Sequence, residues 1–464
     1  MTESIDENRG ERTPDRGAEA KARGRLTRRQ ALGGAGLFFG GAALAAAVGR
    51  AFGGDDGVEG IHPRGDAWYD LRLTNDALMD SQLLWYLGHA SQGMSDVGEV
   101  LETTKRIRPG SEESWFTAWI ASAERLQAVG DKCQAAGRKV SAGETYARAA
   151  NYYRAALIHW SDNDDPRVRN VVKRSIELFE RSNALLGYPA ERIEVPYEGT
   201  SLLAYFIRSP YAKAEAPVIV MNQGLHAWPE ETKWVYDGAL KRGYHTLIFH
   251  GPGQGRTLRE QRLPFRFDWE KAVSPVVDVA ERISGVDPKR IILMGLSFGG
   301  ALTPRAAAFE KRAAVCIANP GVLNWHEATL GHFDHIPGLL ALQRNAPEKF
   351  DAAMLKLASS WPTARWWLND MMFKHGAKTP SGVFDRLADF NNEPIVEQIT
   401  CPVLIMEGTA EDASPGQSQK LYDALKSPKH LMVFREEEAA ALHCQTAANS
   451  VGAQRMFDWL DEHV

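Results

Sequence analysis

Cysteine is scarce in this chain: four among 464 residues, Cys133, Cys316, Cys401 and Cys444, with no CxxC pair. That spacing excludes a disulfide scaffold and a zinc site built on paired thiolates. Cys316 and Cys401 fall inside apolar runs, where a thiol packs as a small hydrophobe. A basic excess is also missing. Lys and Arg number 54 against 59 Asp and Glu, a formal net charge of −5, so the chain lacks the electrostatic footprint of a nucleic-acid-binding protein. Past the N-terminal segment, no apolar run approaches the roughly 20 residues that cross a bilayer. What remains is ordinary globular composition, 44% hydrophobic and 24% charged. It is spread over a length that suits two folded units plus a tail.

Residues 1–25 are polar and rich in Gly, Arg and Glu, and are expected to be a disordered tail. Arg28-Arg29 then precede a weakly apolar stretch from Ala31 to Val48, with no charge until Arg50. A twin arginine before such a stretch resembles a Tat export signal, with Ala45–Ala47 or Gly49–Ala51 as the small-residue cleavage position. The expectation is a tail and signal over 1–55 and export to the cell envelope or medium, as a soluble mature protein. A cytoplasmic enzyme with an Ala-rich tail is the alternative.

Helical periodicity fills the front half, so 66–187 is predicted to be an all-helical N-terminal domain. Ser141-Ala-Gly-Glu144 has the form of a capping box. Asp165-Pro166 supplies an N-cap and a first-turn proline for the next helix. Trp85, Trp115, Trp119, Tyr146, Tyr153 and Trp160 are spaced as core residues. The acidic link Ser161–Asp165 lacks the glycine and distal glutamate of a calcium loop, and no metal site is expected there.

After Gly187 the text changes. Ile193–Tyr197 and Leu202–Ile207 form a hairpin around Glu198-Gly-Thr. Short apolar runs then alternate with helical segments: Val218–Met221, Thr246–Phe249, Ile291–Met294, Ala314–Ile317, Val403–Met406 and Leu431–Phe434. Runs of this kind are strands buried on both faces, so an α/β domain with a mainly parallel sheet covered by helices is predicted over 189–464. A helical insertion is placed at about 323–395. Gly295-Leu-Ser297-Phe-Gly299-Gly300 directly follows the Ile291–Met294 strand and opens a helix. Strand–GxSxG–helix is the setting of a nucleophile elbow, where flanking glycines let the chain turn sharply and leave the hydroxyl uncrowded.

A serine hydroxyl needs a positioned base, and the chain order in this architecture is Ser, acid, His. His443, in the loop after the last strand, stands where the base belongs. The acid follows the penultimate strand, in Glu407-Gly-Thr-Ala-Glu411-Asp412. The register from the strand-end glycine selects Glu411, but aspartate is the commoner acid and Asp412 is adjacent, so both are carried. Oxyanion stabilisation is expected from the backbone N–H groups of Phe298 and Leu225, with Gly224 allowing close approach. His250-Gly-Pro-Gly-Gln-Gly255 has the wrong spacing for a dinucleotide loop and is read as a strand-end turn beside the site. His332 and His335 form an HxxH in the insertion, read as surface or pocket-wall residues. No cofactor and no metal are expected.

With these residues placed, the sequence resembles the α/β-hydrolase group of 2,6-dihydroxypseudooxynicotine hydrolase-like and fermentation-respiration-switch-like esterases. The resemblance runs from about residue 66 onward. It rests on the helical text at Tyr146–Ala156, Gly251–Gly255, Gly295–Gly300, Trp366–Leu368 through Lys374-His-Gly, Pro415–Gln417 and His443-Cys444. It implies a helical domain beside an α/β-hydrolase core, a small-molecule substrate bound between them, and a homodimer in some members. It also implies either carboxylesterase chemistry or cleavage of a C–C bond beside a ketone, the latter assisted by a carboxylate in the region of Glu327. Trp325 and His226 are further candidates for substrate contact, and Trp361, Trp366 and Trp367 for an aromatic pocket wall. His250 and Glu411 depart from the aspartates usual in the group. Two other readings compete. A prolyl-oligopeptidase-type peptidase would need a β-propeller, whereas the accessory text is helical. A protein-binding helical array on an inactive hydrolase would show a fixed repeat, and none is visible.

Overall fold

The computed structural model describes residues 67–464 except residue 335, so the tail, the export signal and one histidine of the HxxH lie outside the described residues. The described residues fall within one compact unit.

The front half is helical: Ala77–Gly88, Val97–Thr104, Glu112–Ala135, Lys139–Ala156 and Pro166–Leu186. Asp165 caps the last of these through the Arg167 amide at 2.8 Å, with Pro166 in its first turn, as its sequence requires. The capping box at Ser141 is not formed. Gly137, at φ +74°, reverses the chain, and the helix has already begun at Lys139. Ser141 therefore lies inside the helix, its carbonyl accepting from Thr145 Oγ1 at 2.7 Å. Trp115, Trp119, Tyr146 and Tyr152 are fully buried between the helices, and Trp115 Nε1 donates to Ala155 O at 2.8 Å. Close approach is possible because Gly130 faces the Tyr146 ring, where an added Cβ would come within 2.5 Å of it.

Eight strands follow: β1 (Ala190–Tyr197), β2 (Thr200–Ile207), β3 (Ala216–Asn222), β4 (His245–Phe249), β5 (Val286–Leu296), β6 (Ala313–Asn319), β7 (Val403–Gly408) and β8 (Lys429–Phe434). Their order is β1-β2-β4-β3-β5-β6-β7-β8. The β1–β2 and β2–β4 pairs are antiparallel and the rest parallel. Strand side chains alternate between faces. Leu203, Tyr205 and Ile207 of β2 join a core shared with the front helices, and Phe179 meets Tyr205 at 5.0 Å between ring centroids. Leu202, Ala204 and Phe206 join the opposite core, with helices Glu270–Ala280 and Gly299–Phe309 and the insertion helices between Trp325 and Leu387. The strand order reverses at β3, flanked by β4 on one side and β5 on the other. Open α/β sheets bind ligands outside the carboxyl ends of strands at such a reversal.

One buried ion pair ties the front helices to the segment that follows β3. Arg154, 3% exposed, lies 2.7 Å from Glu231, 1% exposed, and also donates to His226 O at 2.5 Å. Burial pushes the Glu231 carboxyl up to about 7, with Arg154 opposing the shift. Removing one partner of a buried pair strands the other charge away from water. Arg154→Met is expected to lower the unfolding free energy by roughly 3–5 kcal/mol in denaturant titrations; a loss below about 1 kcal/mol would contradict this role.

Candidate active site

At the reversal, β5 ends in the Gly295–Gly300 turn. Ser297 sits there at φ +58°, a left-handed conformation that a non-glycine residue adopts only under constraint. The constraint is visible on every side. The Ser297 N–H donates to Asn319 O at 2.6 Å, and Gly300 N–H returns to Ser297 O at 2.8 Å. A Cβ at Gly295 would lie 2.0 Å from Gly299 O, and one at Gly300 would lie 1.8 Å from Pro320 O. Both neighbours are backbone, so neither can yield. The helix Gly299–Phe309 begins immediately after, directing the positive end of its dipole toward the serine.

His443 is buried, with Nε2 2.9 Å from Ser297 Oγ. Its Nδ1 lies 2.8 and 2.9 Å from the two Glu411 carboxylate oxygens. Of the two adjacent carboxylates, Glu411 is thus the one that faces the imidazole. Glu411 Oε1 also accepts the Ala413 and Ser414 amides, each at 3.0 Å. Burial would raise the Glu411 carboxyl, but the charge and hydrogen bond of His443 and those two amides hold it below its usual value. Burial likewise opposes the imidazolium of His443. Cys444 and Glu411 beside it outweigh that and raise the imidazole well above its ordinary range. With Nδ1–H donating to Glu411, Nε2 is left to accept the serine proton.

The Asn319 carbonyl that receives Ser297 N–H also accepts the Cys444 thiol at 3.2 Å. The Asn319 side chain donates to Gln445 Oε1 at 2.8 Å. Cys444 and Gln445 are themselves left-handed, at φ +51° and +52°. The end of β6 therefore grips both the elbow and the His443 loop.

Gly224 follows β3 and presses on the elbow: an added Cβ would stand 2.6 Å from Ser297 Cβ and 2.8 Å from Phe298 N. The Phe298 and Leu225 amides donate to no protein acceptor among the described residues. The Gly251–Gly255 turn lies alongside, with Gln254 Nε2 donating to Gln223 O. His332 Nε2 is 3.0 Å from Ala413 O in the acid loop.

The remaining candidates are placed less centrally. Trp325 is buried against Phe298, ring centroids 4.7 Å apart. Trp366 stacks on His226 at 5.6 Å, whereas Trp367 packs into the insertion against Phe333. Glu327 does not face the serine. Its side chain is 47% exposed and pairs with Lys420, and Gln417 Nε2 donates to it at 3.0 Å. The first turn of its helix directs it to these partners, which hold its carboxyl below its ordinary value.

Sequence reading missed a buried charge cluster behind the Leu225–His226 loop. Asp370 lies 2.9 Å from His226 Nε2 and 2.7 Å from Lys374 Nζ. Burial would raise the Asp370 carboxyl, but Lys374 and His226 hold it far below its ordinary value. Burial drives His226 down to about 4, aided by Lys374. Asp370 and Lys374 are four apart on a helix rich in aromatics, and this was the one local signal for the cluster.

An α/β-hydrolase fold with a strained serine, an imidazole and a carboxylate at the strand reversal defines a hydrolase of this architecture. Comparison with known proteins agrees. The profile described as "Esterase FrsA-like" matches residues 92–328, and that of the "Alpha/beta hydrolase family" matches residues 224–442. The chain is 31% identical over 402 residues to the hydrolase LUC6 of Fusarium sp, covering 82% of this chain and 95% of that protein. It is also 31% identical over 408 residues to the 20-hydroxy-prefusarin hydrolase FUS2 of Gibberella moniliformis, covering 82% and 95%. Among solved structures, 2,6-dihydroxy-pseudo-oxynicotine hydrolase superposes with a TM-score of 0.64 at 23% identity, over 81% of this chain and 95% of that one. The chain belongs to the FrsA-like esterase family of α/β hydrolases.

Because Gly300 abuts the Pro320 carbonyl, Gly300→Ala forces the elbow and the end of β6 apart. A loss of about 1–3 kcal/mol or more is expected from urea unfolding; an unchanged midpoint would contradict the packing described.

Proposed function

We propose that the protein is a serine hydrolase that cleaves a carboxylic ester through an acyl-enzyme. Ser297 is the nucleophile, His443 the general base and acid, and Glu411 the carboxylate that orients His443. The observation that carries this reading is the continuous hydrogen-bonded line from Ser297 Oγ through both ring nitrogens of His443 to Glu411. His443 Nε2 takes the Ser297 proton as Oγ attacks the carbonyl carbon. The C=O pair becomes an oxyanion facing the Phe298 and Leu225 amides. Collapse expels the alcohol, which leaves with the proton from His443. A water then repeats the sequence on the acyl-enzyme, releasing the acid and restoring Ser297.

Ester cleavage is favoured over C–C cleavage because the candidate carboxylate for the latter, Glu327, is engaged by Lys420 and Gln417. A peptidase of the prolyl-oligopeptidase type is disfavoured by a helical, not propeller, accessory region. Export is a separate proposal resting on Arg28-Arg29. If it holds, Arg28→Lys with Arg29→Lys strands the protein in the cytoplasm in a fractionation assay, and undiminished export would sink it.

Ser297→Ala is expected to reduce ester turnover on the order of 10⁵-fold or more. Retained turnover would rule out the proposal. Since catalysis needs neutral His443 and its pKa is raised, kcat/KM should climb with pH along a limb centred above 6.5. Glu411→Gln removes one cause of that rise. It should move the limb to lower pH and reduce kcat by roughly 10²–10⁴. Asp412→Asn should retain more activity than Glu411→Gln, and the opposite order would reassign the acid.

A further inference from the structure

β4 runs into His250, a fully buried imidazole that fixes the turn after it. Its Nδ1 accepts the Arg256 N–H at 3.1 Å. Its Nε2 lies 2.9 Å from Glu230 Oε1, which also accepts the Tyr205 hydroxyl at 2.9 Å. The Thr257 hydroxyl donates to His250 O at 2.7 Å, and the Gly253 N–H donates to Leu263 O at 2.8 Å. The backbone of Gly251–Gly255 is therefore tied on several sides. It carries one long polar side chain, Gln254, which is 1% exposed.

Both polar atoms of that side-chain amide are engaged. Oε1 accepts the Gly251 N–H at 3.2 Å, while Nε2 donates to Gln223 O and reaches Gly224 O at 3.4 Å. Both carbonyls belong to the loop after β3. Gln223 O has a second donor in Asn222 Nδ2 at 3.4 Å, whereas Gly224 O has no other donor among the described residues. In a trans peptide the carbonyl oxygen and the following N–H lie on opposite sides. Holding Gly224 O toward Gln254 thus points the Leu225 N–H away from Gln254, and that N–H has no protein acceptor among the described residues.

Close packing on Ser297 requires glycine at 224, since an added Cβ would stand 2.6 Å from Ser297 Cβ. Glycine also has the freest backbone of any residue, so the Gly224–Leu225 peptide could rotate unless something holds it. We propose that Gln254 is the positioning residue of the oxyanion loop: it fixes that peptide so that the Leu225 N–H is already aimed when negative charge develops. The role rests on the serine-hydrolase reading. A donor aimed in advance needs no reorganisation in the transition state, which is where such a donor contributes to rate.

The test uses the full chain with Gln254→Met, which keeps side-chain length and removes the donor. It is assayed on p-nitrophenyl acetate, with active sites counted by fluorophosphonate titration. The oxyanion exists only along the reaction path, so kcat is expected to fall roughly 10–100-fold, short of the roughly 10²–10³-fold lost with a whole donor. KM should stay within about three-fold of wild type, as for an interaction made only in the transition state. An unchanged kcat, or a loss carried by KM, would overturn the proposal. A crystal structure of the wild-type protein phosphonylated at Ser297 decides it even if the variant does not fold. The phosphonyl oxygen should lie about 2.7–3.1 Å from Leu225 N, with Gln254 Nε2 still on the two carbonyls. A Gln254 amide turned away from both would overturn the proposal. Wild-type protein that neither cleaves the ester nor labels at Ser297 would instead overturn the serine-hydrolase reading.

Discussion

The strained turn at Ser297 is held by one carbonyl. Asn319 O, at the end of β6, accepts the amide of the left-handed Ser297 and the thiol of Cys444, while its side chain pairs with Gln445. A non-glycine residue at φ +58° costs free energy, and the surrounding structure must over-determine it. Here the glycines before and after Ser297 leave no room for another backbone path. The same carbonyl sets the height of the His443 loop, so elbow and imidazole are positioned from one point. The 2.9 Å contact between Ser297 and His443 follows from that shared anchor rather than from the two side chains alone.

The second organising feature is buried charge around the Leu225–His226 loop, contributed by the front helices and the insertion. Arg154 with Glu231, and Lys374 with Asp370 and His226, are placed where water is excluded. Such pairs contribute little net stability compared with apolar packing, because desolvation offsets their attraction. They do specify geometry: each constrains the Leu225–His226 loop from a different side. The front helices therefore share in building the site, and they share a hydrophobic core with one face of the sheet.

The fold was legible in the sequence wherever the signal was local. Six apolar runs, a hairpin and Gly295–Gly300 each correspond to an observed strand or turn, since a strand buried on both faces must be continuously apolar. The choice between Glu411 and Asp412 was half legible: the register from the strand-end glycine selected Glu411 but left Asp412 beside it in play. It depends on the close approach of Gly408 to Ala441 and on the amides of Ala413 and Ser414 that orient Glu411. Ser141 had the right residue type for a cap, but Gly137 had already turned the chain. Glu327 lay at the expected chain position, and its direction was set by Lys420, ninety-three residues away. The charge cluster was the least legible, because Arg154, His226 and Asp370 come from three distant segments; His226 stood out as a substrate-contact candidate, and nothing in the sequence pointed to its buried partners.

The central claim is that Ser297 is the activated nucleophile of this site. The most direct measurement is peptide mapping by mass spectrometry of the folded protein after reaction with a fluorophosphonate. A single phosphonyl adduct on Ser297, lost when the protein is unfolded before labelling, is the predicted result. An adduct on another residue, or none on the folded protein, would contradict the account.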